Sequence, residues 1–365
     1  MSEWQTFCLK DLGKIVGGAT PPTNNPKNYG NKIAWITPKD LSTLQGRYIK
    51  KGSRSISRLG FKSCSCVLLP KHAILFSSRA PIGYVAIAKK RLCTNQGFKS
   101  IIPNKKIYFE FLYYLLKYHK DNISNIGGGT TFKEVSGATL GLFEVKIPPT
   151  YYEQQKIART LSILDQKIEN NHKINELLHT LAYKIYEYYF KYKPKNAKLE
   201  QIIIENPKSS IMVKNAQKTQ DKYPFFTSGD NILSYPKAII DGRNCFLNTG
   251  GNAGIKFYVG KASYSTDTWC ICANEFSDYL YLLLSSIKTH INQSFFQGTS
   301  LKHLQKNLLK KYPIYMPSAH EIKKFNQIIM PLLTLISINT RTSKKLEQIR
   351  DFLLPLLLKQ QVKPQ

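Results

Sequence analysis

The sequence lacks any apolar stretch long enough to cross a bilayer. A spanning helix needs ~18 to 20 uncharged apolar residues in a row, and no such run occurs. The start, Met-Ser-Glu-Trp-Gln, also lacks the charged flank and apolar segment of a secretion signal. We therefore expect a cytoplasmic protein without a membrane partner.

Cysteines are few and odd in number, so seven of them cannot form a complete disulfide framework. Two Cys-x-Cys pairs, Cys64 with Cys66 and Cys270 with Cys272, lie in runs that resemble β-strands, where residues i and i+2 share a face. Because no histidine or second pair stands at ligand spacing, we interpret them as buried small side chains rather than zinc ligands.

Catalytic signatures are also missing. The sequence has no phosphate-binding GxxxxGK[ST] loop, no HExxH and no GxSxG. It also lacks the Asp/Asn-Pro-Pro-aromatic motif of amino-methyltransferases, to which only residues 147–150 (Ile-Pro-Pro-Thr) come near. The pattern favours a binding protein without a metal or cofactor of its own.

Acidic residues are scarce: 23 Asp and Glu face 53 Lys and Arg, for a formal charge of +30. With 42% hydrophobic and 12% aromatic residues the chain should fold, and 365 residues favour two or more domains. A folded protein this basic is expected to bind a polyanion. The excess of positive charge is greatest in residues 1–149, which contain 23 basic and seven acidic side chains. Alternatively, lysine is simply the common surface residue of the organism.

The chain contains an internal repeat. Residues 128–133 (Gly-Gly-Thr-Thr-Phe-Lys) return 169 positions later as residues 297–302 (Gln-Gly-Thr-Ser-Leu-Lys). Each copy is followed by a short β-like run that ends on proline and then by a capping-box signature. The capping pairs are Thr150 with Glu153 and Ser318 with Glu321.

A long helix is predicted after each capping box, with seam residues alternately four and three apart. The first seam contains Ile157, Leu161, Leu164, Ile168, Asn171, Asn175, Leu178, Ala182, Ile185 and Tyr189. The second, 168 positions later, contains Phe325, Ile329, Leu332, Ile336, Asn339, Ser343, Leu346, Arg350, Leu353 and Leu357.

Helices of about 43 residues would extend about 65 Å, too far to be hidden in small domains. We expect them to pair as an antiparallel coiled coil, with a polar layer of Asn171 facing Ser343 and Asn175 facing Asn339. The alternative is that each helix packs on its own domain.

Three positions fit this pairing poorly. Arg350 would face Leu164, and we expect Ile349 to rotate into its place. Pro331 should kink the second helix, and Pro355 should weaken its last turn.

The predicted fold class is α+β: two mixed α/β domains alternate with two long helices in a pseudo-twofold repeat. The boundaries are 1–149, 150–193, 194–317 and 318–365. Candidate strands in the first domain are residues 33–36, 67–69, 73–76, 84–88 and 99–102.

The sequence resembles the specificity subunits of type I DNA restriction-modification systems. The resemblance is carried by residues 12–21 (LGKIVGGATP), 33–41 (IAWITPKDL), 77–83 (SSRAPIG), 94–97 (TNQG), 147–149 (IPP), 153–158 (EQQKIA) and 161–165 (LSILD). The second copy departs from the pattern, since residues 321–325 (EIKKF) replace the Glu-Gln-Gln run and the Gly-Gly-Thr-Pro-like and Trp-Ile-Thr-Pro stretches are absent.

The resemblance implies that each domain is a target recognition domain for one half of a bipartite sequence in double-stranded DNA. The helices would set the gap and dock two modification subunits, which bind S-adenosylmethionine and methylate adenine. Restriction subunits using ATP and magnesium would complete the enzyme, and this chain would carry no chemistry.

Candidate DNA-binding residues lie in polar loops that interrupt the apolar runs, because Arg, Asn, Gln, Thr and Ser read base edges and Lys binds phosphates. They are Arg79, Asn95, Gln96, Thr130, Thr131 and Lys133 in the first domain, and Asn248, Asn252, Thr266, Thr299, Ser300 and Lys302 in the second. Each could instead be a turn residue that bonds its own backbone.

Three alternatives remain open at this point: a type IIB-like recognition subunit, an independent RNA-binding or RNA-modifying protein, and an enzyme that acts alone.

Overall fold

The computed structural model describes residues 3–129, 133–216 and 222–364, and the chain divides into two compact units. The first unit contains Met1–Glu169 and Leu346–Gln365, and the second contains Asn170–Lys345. Each unit therefore combines one globular part with segments of both long helices. The boundary between the units therefore lies within each long helix.

The first unit is a mixed α/β structure. Its strands are β1 (Gln5–Cys8), β2 (Gly13–Gly17), β3 (Tyr29–Ile36), β4 (Tyr48–Ile49), β5 (Arg54–Ile56), β6 (Ile74–Phe76), β7 (Val85–Ala88), β8 (Cys93–Thr94), β9 (Lys99–Pro103) and β10 (Glu144–Ile147). Its helices are α1 (Leu9–Leu12), α2 (Pro38–Ser42), α3 (Arg58–Lys62), α4 (Phe109–Tyr118), α5 (Lys120–Asn125), α6 (Gly137–Gly141) and the first part of α7 (Tyr151–Phe190).

The strands of the first unit form sheets with the orders β2-β9-β6-β7-β4, β5-β3-β8 and β1-β10. Strand β6 is buried along its whole length, as its continuous Ile-Leu-Phe run predicts. Its core joins the five-stranded sheet to α4, to Ile157 and Leu161 of α7, and to the buried C-terminal Leu354 and Leu357.

The second unit contains the remaining elements. Its strands are β11 (Ala197–Lys198), β12 (Ile204–Glu205), β13 (Tyr223–Phe226), β14 (Leu233–Tyr235), β15 (Arg243–Asn248), β16 (Ile255–Val259), β17 (Ser263–Tyr264), β18 (Thr268–Cys272), β19 (Phe296–Gln297), β20 (His303–Leu304) and β21 (Pro313–Ile314). Its helices are α8 (Val213–Ala216), α9 (Ser277–Ser286), α10 (Lys288–Ser294), α11 (Lys306–Lys310) and most of α12 (Ala319–Leu358).

The second unit repeats the strand orders of the first. Its orders β12-β18-β15-β16 and β14-β13-β17 correspond to β2-β9-β6-β7 and β5-β3-β8. The parallel pair β13–β17 also matches the parallel pair β3–β8. Helices α9 and α12 begin 168 residues after α4 and α7. The mixed α/β fold with two long helices is therefore confirmed.

Both long helices contain 40 residues and begin with the predicted capping residues. The backbone N–H of Glu153 donates to Thr150 Oγ1 at 3.2 Å. In the second box the backbone N–H of Ser318 donates to Glu321 Oε2 at 3.0 Å, and that of Glu321 donates to Ser318 Oγ at 3.3 Å. These bonds satisfy N–H groups that a helix start leaves without partners. Within the described part of the chain, no helix is long and apolar enough to cross a membrane.

Segments of α7 and α12 lie side by side within the second unit. Asn171 Nδ2 donates to Ser343 Oγ at 3.1 Å, and Asn339 Nδ2 donates to Asn175 Oδ1 at 3.0 Å. Because the residue number falls along α12 as it rises along α7, these segments run antiparallel.

Arg350 and Ile349 behave differently from the expectation. Arg350 remains inside the first unit, where its Nη1 contacts Asp165 Oδ1 at 2.6 Å, while Ile349 is 46% exposed. The expected rotation of Ile349 is therefore wrong, because a buried carboxylate beside Leu164 accepts the guanidinium. Helix α12 includes Pro331 and Pro355 and extends to Leu358. The kink at Pro331 and the weak last turn at Pro355 stay predictions.

One Cys-x-Cys pair does not lie in a strand. Cys270 and Cys272 belong to β18, but residues 64–66 follow α3 without strand structure. Leu69 forms only an isolated bridge with Leu92, so the strand expected at 67–69 is wrong as well. Pro70 directly after Leu69 has no N–H with which to extend a ladder.

Candidate nucleic-acid interface

Three polar segments of the first unit meet: residues 77–79, residues 94–97, and the described residues 127–129 and 133–135. The backbone N–H of Ser78 donates to the Gly97 carbonyl at 2.8 Å, and that of Val135 donates to the Ser78 carbonyl at 3.0 Å. Loops that are distant in the sequence thus form one surface at the ends of β6, β8 and α5.

Two described residues that flank the Gly-rich loop are paired with each other. Gly128 and Glu134 exchange backbone hydrogen bonds of 3.1 and 2.9 Å. Lys133 is exposed. The candidates Thr130 and Thr131 lie outside the described residues.

Arg79 and Lys99 share one counter-ion. Arg79 Nη1 lies 3.5 Å from Glu134 Oε2, and Lys99 Nζ lies 3.1 Å from Glu134 Oε1. The Arg79 side chain remains 37% exposed. A phosphate could compete for this partly solvated guanidinium, because such a pair contributes only about 0–1 kcal/mol. The sequence analysis missed Glu134, since no spacing rule links it to Arg79.

Asn95 and Gln96 have different roles in their turn. Asn95 Oδ1 accepts the backbone N–H of Gly97 at 3.0 Å, so its side chain shapes the turn. Gln96 is exposed, and its Oε1 accepts a hydrogen bond from Thr20 Oγ1. A Cβ at Gly18 would lie 2.0 Å from the Asn95 carbonyl oxygen, which explains why glycine is needed where these segments touch.

The loop that contains Thr20 is held by side chains from the motif around Trp35. Trp35 Nε1 donates to the Ala19 carbonyl at 3.0 Å, and Tyr29 OH donates to the Pro21 carbonyl at 3.0 Å. Residues 12–21 and 33–41, two of the stretches that carry the family resemblance, are therefore in contact. This contact helps to place Thr20 next to Gln96.

Asp40 of the same motif fixes the start of α2. Its Oδ2 accepts both the N–H and the hydroxyl of Thr37 at 2.7 Å, and its Oδ1 accepts the N–H of Ser53 at 2.7 Å. Although partial burial acts in the opposite direction, these hydrogen bonds hold the pKa of the Asp40 carboxyl below its usual value. Asp40 is therefore a structural residue of the motif.

The corresponding loops of the second unit also meet. The backbone N–H of Gly251 donates to the Lys302 carbonyl at 2.9 Å, and that of Thr249 donates to the Asp267 carbonyl at 3.2 Å. Strands β19 and β20 form a hairpin whose tip is residues 298–302. Its exposed side chains include the candidates Thr299, Ser300 and Lys302.

Asn248 is buried and its amide is used inside the unit. Its Nδ2 donates to the Asn252 carbonyl at 3.1 Å, and its Oδ1 accepts from Lys256 Nζ at 3.1 Å. Burial lowers the pKa of Lys256. Asn248 thus holds the turn that exposes the side chain of Asn252. Thr266 is half-buried, and its hydroxyl lies 3.4 Å from Asp267 Oδ1.

A buried network of charges joins the globular part of the first unit to α7. Arg47 contacts Glu110 of α4 and Glu169 of α7, each at 3.1 Å. Asp165 accepts hydrogen bonds from Tyr114 OH at 2.5 Å and from Arg350 at 2.6 Å. The seam spacing predicts only contacts between the two long helices, so the sequence did not predict these contacts with the globular part.

The second unit has a smaller counterpart of this network. The guanidinium of Arg243 pairs with both carboxylate oxygens of Asp278 on α9. It also donates to Thr334 Oγ1 on α12 at 3.0 Å and to the Met330 carbonyl at 3.2 Å. Within residues 3–129, 133–216 and 222–364, no group of three or more His, Cys, Asp or Glu side chains is arranged to hold a metal ion.

Comparisons with known proteins agree with the resemblance in the sequence. The family model of the type I restriction modification DNA specificity domain matches residues 1–180 and 195–348. The MjaIX specificity subunit, a type I restriction enzyme subunit of Methanocaldococcus jannaschii, is 33% identical over 98% of this chain and 93% of that protein. The HindI specificity subunit of Haemophilus influenzae is 30% identical over 46% of this chain and 37% of that protein.

A crystal structure supports the fold. The type I restriction-modification S subunit from M. genitalium superimposes with a TM-score of 0.64 and 18% identity, covering 97% of this chain and 96% of that chain. With the family model spanning both repeats, this chain belongs to the type I restriction-modification DNA specificity family.

Proposed function

We propose that this chain is the DNA-recognition subunit of a type I restriction-modification complex and carries no chemistry itself. The observation that carries the proposal is the gathering of equivalent exposed loops in both units of a chain with a formal charge of +30. Phosphate contacts would supply affinity, and the loop side chains would read bases.

Each unit would read one half of a bipartite target in double-stranded DNA. In the first unit the exposed Gln96 and Lys133 and the partly exposed Arg79 would contact DNA, while Asn95 would hold the turn. In the second unit Asn252, Thr299, Ser300 and Lys302 would contact DNA, and Asn248 would be the positioning residue. Thr130, Thr131 and Thr266 complete the candidate set.

The two long helices would form an antiparallel coiled coil relating the two recognition parts by a pseudo-twofold axis. The asparagine contacts in the second unit and the Arg350–Asp165 pair in the first support this pairing. Such a rod would set the gap between the two half-sequences. Two recognition domains on a rod with twofold symmetry favour half-sites about one turn of the DNA helix apart, on the same side of the duplex.

The partners would supply the chemistry. Two modification subunits would bind S-adenosylmethionine and methylate adenine within the target. Restriction subunits would use ATP and magnesium for translocation and cleavage. The family membership of this chain supports both expectations.

Mapping methylated adenines in the host genome tests the proposal. We expect one bipartite sequence with a fixed gap to lose methylation when the gene is deleted and to regain it when the gene is restored. Deletion of the neighbouring modification gene is the matched control and should remove the same sequence. Unchanged methylation after deletion of this gene would contradict the proposal.

A further inference from the structure

In each unit one arginine connects the globular part to a long helix: the buried Arg47 in the first and the mostly buried Arg243, 17% exposed, in the second. For this purpose head 1 is the part of the first unit before α7, and head 2 is the part of the second unit between α7 and α12. We propose that Arg47 and Arg243 are positioning residues that fix each head on its helix and thereby determine which gap the complex accepts. The proposal rests on the function proposed above.

Arg47 joins three elements at one point. Its side chain is 3% exposed and contacts Glu110 on α4 and Glu169 on α7. The backbone N–H of Arg47 donates to the same Glu169 oxygen at 2.9 Å. A rotation of head 1 against α7 would therefore break both the hydrogen bond from the Arg47 backbone N–H and the ion pair with Glu169.

The contact leaves no room for a side chain at position 46. Gly46 has a φ of +107°, and a Cβ there would lie 2.9 Å from the Glu169 side chain. Left-handed backbone of this kind strongly favours glycine. The loop thus packs directly on the carboxylate that receives Arg47.

Arg243 makes the equivalent connection in the second unit from a different place in the chain. Asp278 is the second residue of α9, and Glu110 is the second residue of α4, 168 positions earlier. Arg47 precedes β4, whereas Arg243 begins β15. Each guanidinium bridges this acidic position to the long helix that follows its own head, α7 or α12.

Burial and geometry make these connections suitable for positioning. The planar guanidinium donates in fixed directions, so it specifies an orientation more strictly than an apolar contact of equal area. Buried polar groups fix a unique arrangement in some proteins, and the best-attested case is the asparagine that sets the register of a coiled coil. One base pair changes the direction of a half-site by about 35°, since B-DNA repeats every ~10–10.5 base pairs. A head that can tilt should therefore tolerate a gap changed by one base pair.

The test uses the full chain assembled with its modification subunits. Duplexes carry the target mapped in the host with the native gap or with the gap one base pair longer or shorter, and methylation rates are measured. The variants are Arg47→Met and Arg243→Met. The same change at the exposed Arg159 of α7 controls for the lost charge.

We expect both variants to methylate the same half-sequences but to prefer the native gap about tenfold less than the wild type, which corresponds to about 1.4 kcal/mol. Arg159→Met should keep the wild-type preference. If an arginine variant fails to assemble, two variants weaken the helix-side contact instead. Glu169→Gln removes the carboxylate charge that pairs with Arg47, and Thr334→Val removes one of the two hydrogen bonds that Arg243 donates to α12. Each should weaken the preference for the native gap in the same direction.

A merely structural role would reduce methylation at every gap by the same factor, and that outcome would overturn the positioning role alone. A wild-type complex that methylates none of these duplexes would instead contradict the proposed function. Thermal unfolding of each complex, measured in parallel, separates loss of folding from loss of gap selection.

Discussion

The two units share strand orders but hold their long helices by different chemistry. Equivalent positions, 168 residues apart, are Gln154 and Ile322, Asp165 and Leu333, and Glu169 and Ser337. Apart from the partly exposed Glu169, all of these side chains are buried. The first unit therefore uses amide and charged contacts where the second uses mostly apolar ones.

Aromatic side chains of α7, α9 and α12 pack together in the second unit. The ring of Phe190 lies 4.9 Å from that of Phe325 and 5.1 Å from that of Tyr279. Tyr189 also contacts Phe325, at 5.8 Å. The repeat thus preserves where elements begin and which neighbours they touch, while the side chains that stabilise those contacts are free to differ.

The largest expected effect is at the centre of the charged network. Asp165→Ala should lower the free energy of unfolding by about 3–5 kcal/mol, because it leaves the buried guanidinium of Arg350 without its carboxylate. Urea unfolding followed by circular dichroism measures the change. A loss below about 1 kcal/mol, the range of an exposed pair, would show that the network is solvated.

The equivalent position in the second unit should respond to volume rather than charge. Leu333 is 1% exposed, so Leu333→Ala should cost about 2–4 kcal/mol through lost burial and a cavity. Its effect should be the same at low and high salt. A strong salt dependence of this loss would contradict the contrast between the charged contact at Asp165 and the apolar contact at Leu333.

The capping boxes offer a smaller and pH-dependent comparison. Hydrogen bonds from the Ser318 backbone and the Tyr315 hydroxyl lower the pKa of Glu321 to about 2. Because its folded pKa is depressed, the stabilisation is complete above the ordinary carboxyl pKa of about 4.3 and is lost as pH falls towards 2.

Glu321→Gln should therefore destabilise by about 1 kcal/mol at neutral pH, and the difference from the wild type should shrink on acidification. Thermal unfolding between pH 7 and pH 3 measures it. Glu153→Gln tests the other capping box under the same conditions. A pH-independent loss for Glu321→Gln would contradict the ionised cap.

Two exposed loop lysines should affect DNA binding without affecting stability. Lys133→Ala and Lys302→Ala each remove one exposed cation, so each should reduce the slope of log affinity against log salt by about one unit if it contacts phosphate. Fluorescence anisotropy of target duplex at several salt concentrations measures the slope. An unchanged slope would place that lysine away from the backbone.

The long helices and their starts were predictable because seam spacing and capping residues are local signals. Residues 150–193 and 318–365 contain the observed helices α7 and α12. The 168-residue spacing of the two seams also separates the starts of α4 and α9 in the structure. Short strands were harder, since residues 67–69 have a strand-like composition but end at a proline.

Contacts between a head and a helix could not be predicted from these patterns. The seam placed Arg350 opposite Leu164 and made it appear misplaced, although its partner is the neighbouring Asp165. The loops were identified by their composition, but their members' roles depend on tertiary contacts. Asn248 illustrates this, because only its burial and its contact with Lys256 show that it holds a turn.

Exchange of head 1 tests the central claim most directly. Residues 1–149 are replaced by the corresponding segment of another family member, and methylated adenines are mapped in a host that expresses the chimera with its modification subunits. The account predicts that one half of the bipartite sequence changes while the other half and the gap remain. A change in both halves, or in neither, would contradict it.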